Sequence, residues 1–296
     1  MQCWVRTGVW WLLAFLWTMP TAAAGEVRVV KAVAYLAEGR AEKADLYLPE
    51  RDGSLHPGIV IIHGGGWIGD QRDSDREINI GMSLAAQGYV CMSIDYHLAD
   101  PETKSKDPKT ATICWPQNLH DCKTAVRWLR AHAKRLELDA DHIGAIGGSA
   151  GGHLAAMLAV TGPDCQLDPS GPWAEQSCRI QAAVNMYGPV DTENWMDRIE
   201  ALKFTRAENP ELYKAFSVLT YVSADDPPIL TLQGTKDHVT PVSQSQALDA
   251  KLAQQGVTHR LEIIEGAGHS FDLQPEQRDL RPLVLAWFGQ HLRGTP

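Results

Sequence analysis

Short apolar runs that close on glycine or a polar turn alternate along this chain with stretches of helical periodicity. That alternation limits the fold more than any other feature. The runs are "GIVIIHGGGW" (58–67), "YVCMSIDY" (89–96), "HIGAIG" (142–147), "IQAAVNMYG" (180–188), "PPILTLQG" (227–234) and "THRLEIIEG" (258–266). A strand without a regular polar face has to be covered on both sides, as in parallel sheets. Between them, residues 75–87, 116–136, 150–160, 241–255 and 277–293 read as helices. In the second of these Leu119, Cys122, Val126 and Leu129 share one face. Residues 27–37 and 43–49 alternate like strands and pair as an antiparallel start. The expected class is α/β, with a mostly parallel central sheet and helices on both faces. Residues 191–226 carry mixed helical pieces and are expected to form a small cap or lid insertion, not a separate domain.

The chain has 296 residues, 44% hydrophobic and 21% charged, as an ordinary globular protein has. The net charge of −9 with no basic cluster argues against nucleic acid or an anionic membrane surface as partner. The first residues, "MQCWVRTGVWWLLAFLWTMPTAAAGE", place Arg6 before an apolar core at 8–17 and small residues at Ala22–Ala24. This is the layout of a signal peptide, with cleavage expected after Ala24, a secreted or periplasmic product and no membrane attachment thereafter. A folded domain over 25–296 would remain.

Export makes disulfides admissible. Cys91 lies inside an apolar run and reads as a buried thiol. Cys114, Cys122, Cys165 and Cys178 fall into two local groups, so Cys114–Cys122 and Cys165–Cys178 are plausible bridges among the pairings that four cysteines allow. Metal-ligand spacing does not accompany them, and no metal or cofactor is expected.

Residues 147–152 read "GGSAGG", between a predicted strand and a predicted helix. Gly147, Ser149 and Gly151 fit G-x-S-x-G, in which a cramped strand-to-helix turn lifts the serine hydroxyl above the sheet edge. A tight turn with serine as helix cap is the structural alternative. A phosphate loop is excluded because no Lys-Ser/Thr follows.

A serine hydroxyl needs a base, and the base an orienting acid. His269 follows "RLEIIEGAG" and should stand beyond the C-terminal end of a strand, at the edge where Ser149 projects. His153 packs within the helix after the serine, His238 reads as loop surface, and His259 and His291 as surface. Asp237, just past "PPILTLQG", is the leading acid and Asp191 its rival. Asp225, Asp226 and Asp272 read as turn or cap residues. At 63–67, "HGGGW" lets bare amides approach a carbonyl oxygen. Gly64 and Gly65, with the amide of Ala150, would form an oxyanion hole. His63 braces that loop. Trp67 is a wall of the site or core packing, and Tyr187 is placed with it at the substrate pocket.

On "IVIIHGGGWIGD", "GYVCMSIDYHLA", "DHIGAIGGSAGGHLAAMLA", "DPPILTLQGTKDHVTPVSQSQAL" and "EGAGHSF", the chain resembles the α/β-hydrolase superfamily over roughly 40–293. It is most similar to the feruloyl-esterase-like (BD-FAE) and hormone-sensitive-lipase-like esterases. The resemblance implies Ser149 as nucleophile, Asp237 as acid and His269 as base, in the chain order of that fold. It departs where many relatives have Asp-Tyr-Arg-Leu-Ala-Pro: His97 replaces the arginine, and a longer loop carrying a cysteine follows. The expected function is a secreted serine carboxylic-ester hydrolase acting on short-chain or polysaccharide-linked acetyl or feruloyl esters. The alternatives are a prolyl-oligopeptidase-like peptidase, which usually carries a large propeller for which this chain has no room, and a noncatalytic binding module, for which a triad member should be missing.

Overall fold

The apolar runs assemble into one sheet in the computed structural model, which describes residues 26–100 and 112–293. The strands are β1 (Arg28–Val33), β2 (Ala44–Leu48), β3 (His56–Ile62), β4 (Val90–Ile94), β5 (Leu138–Gly148), β6 (Ala182–Met186), β7 (Ile229–Gly234) and β8 (His259–Ile264). Their spatial order is β1-β2-β4-β3-β5-β6-β7-β8. β1 and β2 pair antiparallel, as do β2 and β4, and the remaining neighbours are parallel. The helices are α1 (Asp75–Ala85), α2 (Gln117–Ala131), α3 (Ala133–Leu136), α4 (Ala150–Val160), α5 (Pro210–Ala215), α6 (Val242–Gln255) and α7 (Arg281–Leu292).

The two-residue period of a strand sends neighbouring side chains to opposite layers. Val60 and Ile62 join a core with Leu119, Leu154 and Leu248 of α2, α4 and α6. Ile59 and Ile61 join another with Ile80 of α1 and Phe288 of α7. β3 is therefore buried on both faces. α4 is buried along its whole length, which accounts for a sequence, "AGGHLAAMLAV", with no polar stripe.

Several boundaries differ from expectation. β1 ends at Val33, which pairs with Ala44 at the very start of β2, so it is shorter than 27–37; its register shifts between Val30 and Val33, where Ala32 takes φ 57°. Tyr35, beyond it, is fully buried. The helix expected over 116–136 is divided at His132, and the one expected over 277–293 starts at Arg281 with a proline in its first turn. The paired disulfides are not formed: all five described cysteines are free thiols. Cys114 and Cys122 have no exposure and pack as small core residues, while Cys178 Sγ donates to Asp168 Oδ1 at 3.1 Å. The leader expected over 1–24, and most of the polar loop that precedes α2, lie outside the described residues.

The first turn of α4 is pressed against the end of β3. A Cβ on Gly151 would overlap the carbonyl oxygen of Ile62 and stand 2.5 Å from that of His63. Both obstacles are backbone, so neither can rotate away. Gly151→Ala is expected to destabilise the fold by about 3 kcal/mol, the upper end of ordinary overpacking. A urea midpoint within error of wild type would contradict this close approach.

Candidate active site

Ser149 sits between β5 and α4 at φ 56°, ψ −121°, a conformation that costs a residue with a Cβ. Its amide donates to the Met186 carbonyl at 2.9 Å, and its carbonyl accepts from the His153 amide at 3.0 Å. The backbone is thus held at both ends of the strained turn. The hydroxyl projects at the C-terminal ends of the parallel strands, where open α/β sheets bind ligands.

β7 and β8 deliver the next two groups to the same rim. His269 Nε2 lies 2.9 Å from Ser149 Oγ, and His269 Nδ1 lies 2.8 Å from Asp237 Oδ2. The Asp237 carboxylate is fully buried, and only 14% of the His269 side chain is exposed. A carboxylate only accepts, so Nδ1 carries the proton and Nε2 offers its lone pair to the serine. Among the described residues every partner of Asp237 is a donor: the Val239 and Thr240 amides bond Oδ1 at 2.9 and 2.8 Å, and Gln233 Nε2 bonds Oδ2 at 3.1 Å. Gln233 is in turn held by Ser245 Oγ at 2.8 Å. Gln233 went unnoticed in the sequence, although a polar side chain inside "ILTLQG" was its available sign.

The remaining candidates separate. Asp191, the rival acid, caps a short turn and accepts from the Asn194 amide at 3.2 Å. His238 is exposed, and His259 faces Asp249 at 3.4 Å. Asp272 accepts from Asn79 Nδ2 at 3.0 Å and caps Gln274. Gly64 abuts the serine turn, since a Cβ on it would lie 3.5 Å from Ser149 Cβ. Gly65 has φ 86° and its carbonyl accepts from the Ile68 and Gly69 amides, both at 3.1 Å. Ala150 opens α4, so its N–H has no carbonyl partner one turn back in the helix.

Trp67 and Tyr187 are not open pocket walls. Trp67 is 3% exposed and packs edge-on against His153 and Phe216. Tyr187 has no exposure, and its ring meets His269 edge-on at 4.9 Å. Its hydroxyl donates to the Phe271 carbonyl and accepts from Arg76 Nη1 at 3.2 Å. Arg76, which the sequence did not single out, lies beside the serine turn, its Nη1 3.0 Å from where a Cβ on Gly148 would stand, and reaches the Phe271 carbonyl of the loop that carries His269 through the Tyr187 hydroxyl.

The 191–226 segment leans on this machinery. His153 Nε2 donates to the Phe216 carbonyl at 2.8 Å, and Phe216 also contacts Trp115. Burial holds the His153 imidazole down at about 4, from an ordinary 6.5, against the opposing pull of that bond. The unfolded chain takes up this proton near 6.5 and the folded chain near 4. The neutral imidazole's contribution is therefore whole above pH 6.5 and lost as pH falls to about 4, a change of about 3 kcal/mol. Burial lowers His63 as well, which acts in the same direction. Urea midpoints are expected to fall over this window, less steeply in His153→Gln. Parallel slopes would refute the assignment.

A hydrogen-bonded Asp–His–Ser relay at the C-terminal rim of this sheet defines an α/β-hydrolase. Residues 44–252 match the BD-FAE family, and the chain belongs to it. It is 32% identical over 229 residues to "Esterase LipC" of Mycobacterium tuberculosis, covering 73% of this chain and 53% of that one. Against "Esterase LipQ" of the same organism it is 32% identical over 232 residues, covering 75% and 52%. The chain thus spans about half the length of the curated relatives it matches. Among solved structures, a "truncated form of carbohydrate esterase from gut microbiota" superposes with a TM-score of 0.77 at 24% identity, over 91% of this chain and 98% of that one. The apo form of Thermogutta terrifontis esterase 2 gives 0.70 at 25% identity, over 96% and 100%.

Proposed function

We propose that the chain is an exported serine carboxylic-ester hydrolase. The observation that carries this reading is the unbroken relay from Asp237 through His269 to Ser149 Oγ, with the Gly64 backbone against the serine. Its BD-FAE membership and the esterase names of its relatives support it. His269 Nε2 takes the proton of Ser149 as Oγ attacks an ester carbonyl. The amides of Gly64, Gly65 and Ala150 donate to the oxyanion, each such donor stabilising the transition state by about 2.7–4 kcal/mol. Asp237 steadies the imidazolium, which then protonates the departing alcohol. Water, activated by the same imidazole, hydrolyses the acyl-enzyme.

The substrates are short-chain esters or acetyl and feruloyl esters carried on polysaccharide. The likeness to a carbohydrate esterase from gut microbiota supports the second group. The leader-like start of the sequence supports export, and no described helix is long and apolar enough to cross a membrane. The test is a hydrolysis panel of p-nitrophenyl acetate through decanoate, methyl ferulate and acetylated xylan, with dipeptide amides alongside. Turnover of esters and not amides is expected. Amide cleavage without ester cleavage would replace the esterase with a peptidase.

A further inference from the structure

Tyr96 lies just beyond β4 and is 1% exposed. Its hydroxyl is 3.0 Å from the His63 carbonyl oxygen and 3.0 Å from that of Gly64. One phenolic proton is therefore shared between two consecutive carbonyls. The His63 ring stacks on Tyr96 at 4.2 Å and 16°, and its Nδ1 donates to the Gly64 carbonyl at 3.0 Å.

The geometry of the peptide unit gives this contact a further effect. In a trans peptide the N–H points opposite to the C=O of the same unit, and the peptides here are trans. The His63 carbonyl shares its unit with the Gly64 amide, and the Gly64 carbonyl with the Gly65 amide. Two carbonyls drawn to one hydroxyl thus turn two successive N–H groups away from Tyr96. Glycine backbone would otherwise rotate freely at this point. The Gly64 backbone meets the serine turn, its would-be Cβ 3.1 Å from the Gly148 carbonyl.

We propose that Tyr96 is a positioning residue, whose hydroxyl aims the Gly64 and Gly65 amides at the oxyanion. The proposal rests on the ester-hydrolase reading above. Tyr96 touches no reacting atom, and it acts by holding the far side of each peptide.

Tyr96→Phe keeps the ring stack and removes only the hydroxyl. Its kcat on p-nitrophenyl acetate is expected to fall at least about tenfold, with KM within about twofold, because the amides act on the transition state and not on bound substrate. Affinity for an aryl trifluoromethyl ketone, which forms a tetrahedral oxyanion on serine, should fall in parallel. Tyr213→Phe is the control. It is fully buried, and its hydroxyl donates to the Phe204 carbonyl at 3.0 Å, away from the glycine loop and from the Tyr96 peptide. It should lose comparable thermal stability and keep wild-type kcat. Wild-type kcat and ketone affinity in Tyr96→Phe overturn the proposal, as does an equal kcat loss in Tyr213→Phe. A wild type that hydrolyses no ester overturns both this proposal and the reading beneath it.

Discussion

Ser149→Ala is expected to lower kcat for p-nitrophenyl esters by about 10⁴-fold or more, leaving only what binding and the amides supply. The fold should survive, because the tethers of the turn are backbone: the Ser149 amide to Met186 and its carbonyl to the His153 amide. Alanine leaves these in place and keeps a Cβ at φ 56°. Ser149→Gly should be equally inactive yet more stable by about 1 kcal/mol, since glycine takes that backbone without strain. The two variants together separate chemistry from conformation. Steady-state kinetics and urea unfolding measure them. An Ser149→Ala protein within tenfold of wild type would remove the serine from the reaction, and a destabilised Ser149→Gly would remove the strain.

Asp237→Asn is expected to lower kcat by about 10⁴-fold through the tautomer of its neighbour. Among the described residues the Asp237 oxygens face only donors: two amides on one side, Gln233 Nε2 and His269 Nδ1 on the other. An asparagine NH₂ on either side meets N–H groups. The relieving change is for His269 to carry its proton on Nε2, and then nothing accepts the Ser149 proton. A stability loss of about 1–3 kcal/mol should accompany it, from the unsatisfied buried amide. Single-turnover release of p-nitrophenol reads the acylation step directly. Acylation within tenfold of wild type would contradict the role given to Asp237.

The sheet was legible because its strands are apolar on consecutive residues and end in glycine, a pattern that few other layouts share. The rim residues were legible for a related reason: Ser149, Asp237 and His269 each stand within a few residues of a strand's C-terminal end. Other features depended on distant packing. Gln233 of β7 holds the Asp237 carboxylate and is itself held by Ser245 of α6. Arg76 and Tyr187 meet only because α1 and the end of β6 converge below the serine turn. Nothing local distinguishes a pocket aromatic from a buried one: Trp67, open to either reading, and Tyr187, expected at the pocket, are both buried. Cysteine spacing was similarly uninformative: Cys114 and Cys122 are close in sequence but occupy a packed interior as thiols.

Phe216 rests on Trp67 of the glycine loop and on His153 of the helix that starts at the serine. Grafting 191–226 from a relative would therefore disturb the glycine loop and the helix behind the serine as well. Chimeras that carry matching partners for positions 67 and 153 should keep their rate, whereas those exchanging the segment alone should become slow for every ester alike.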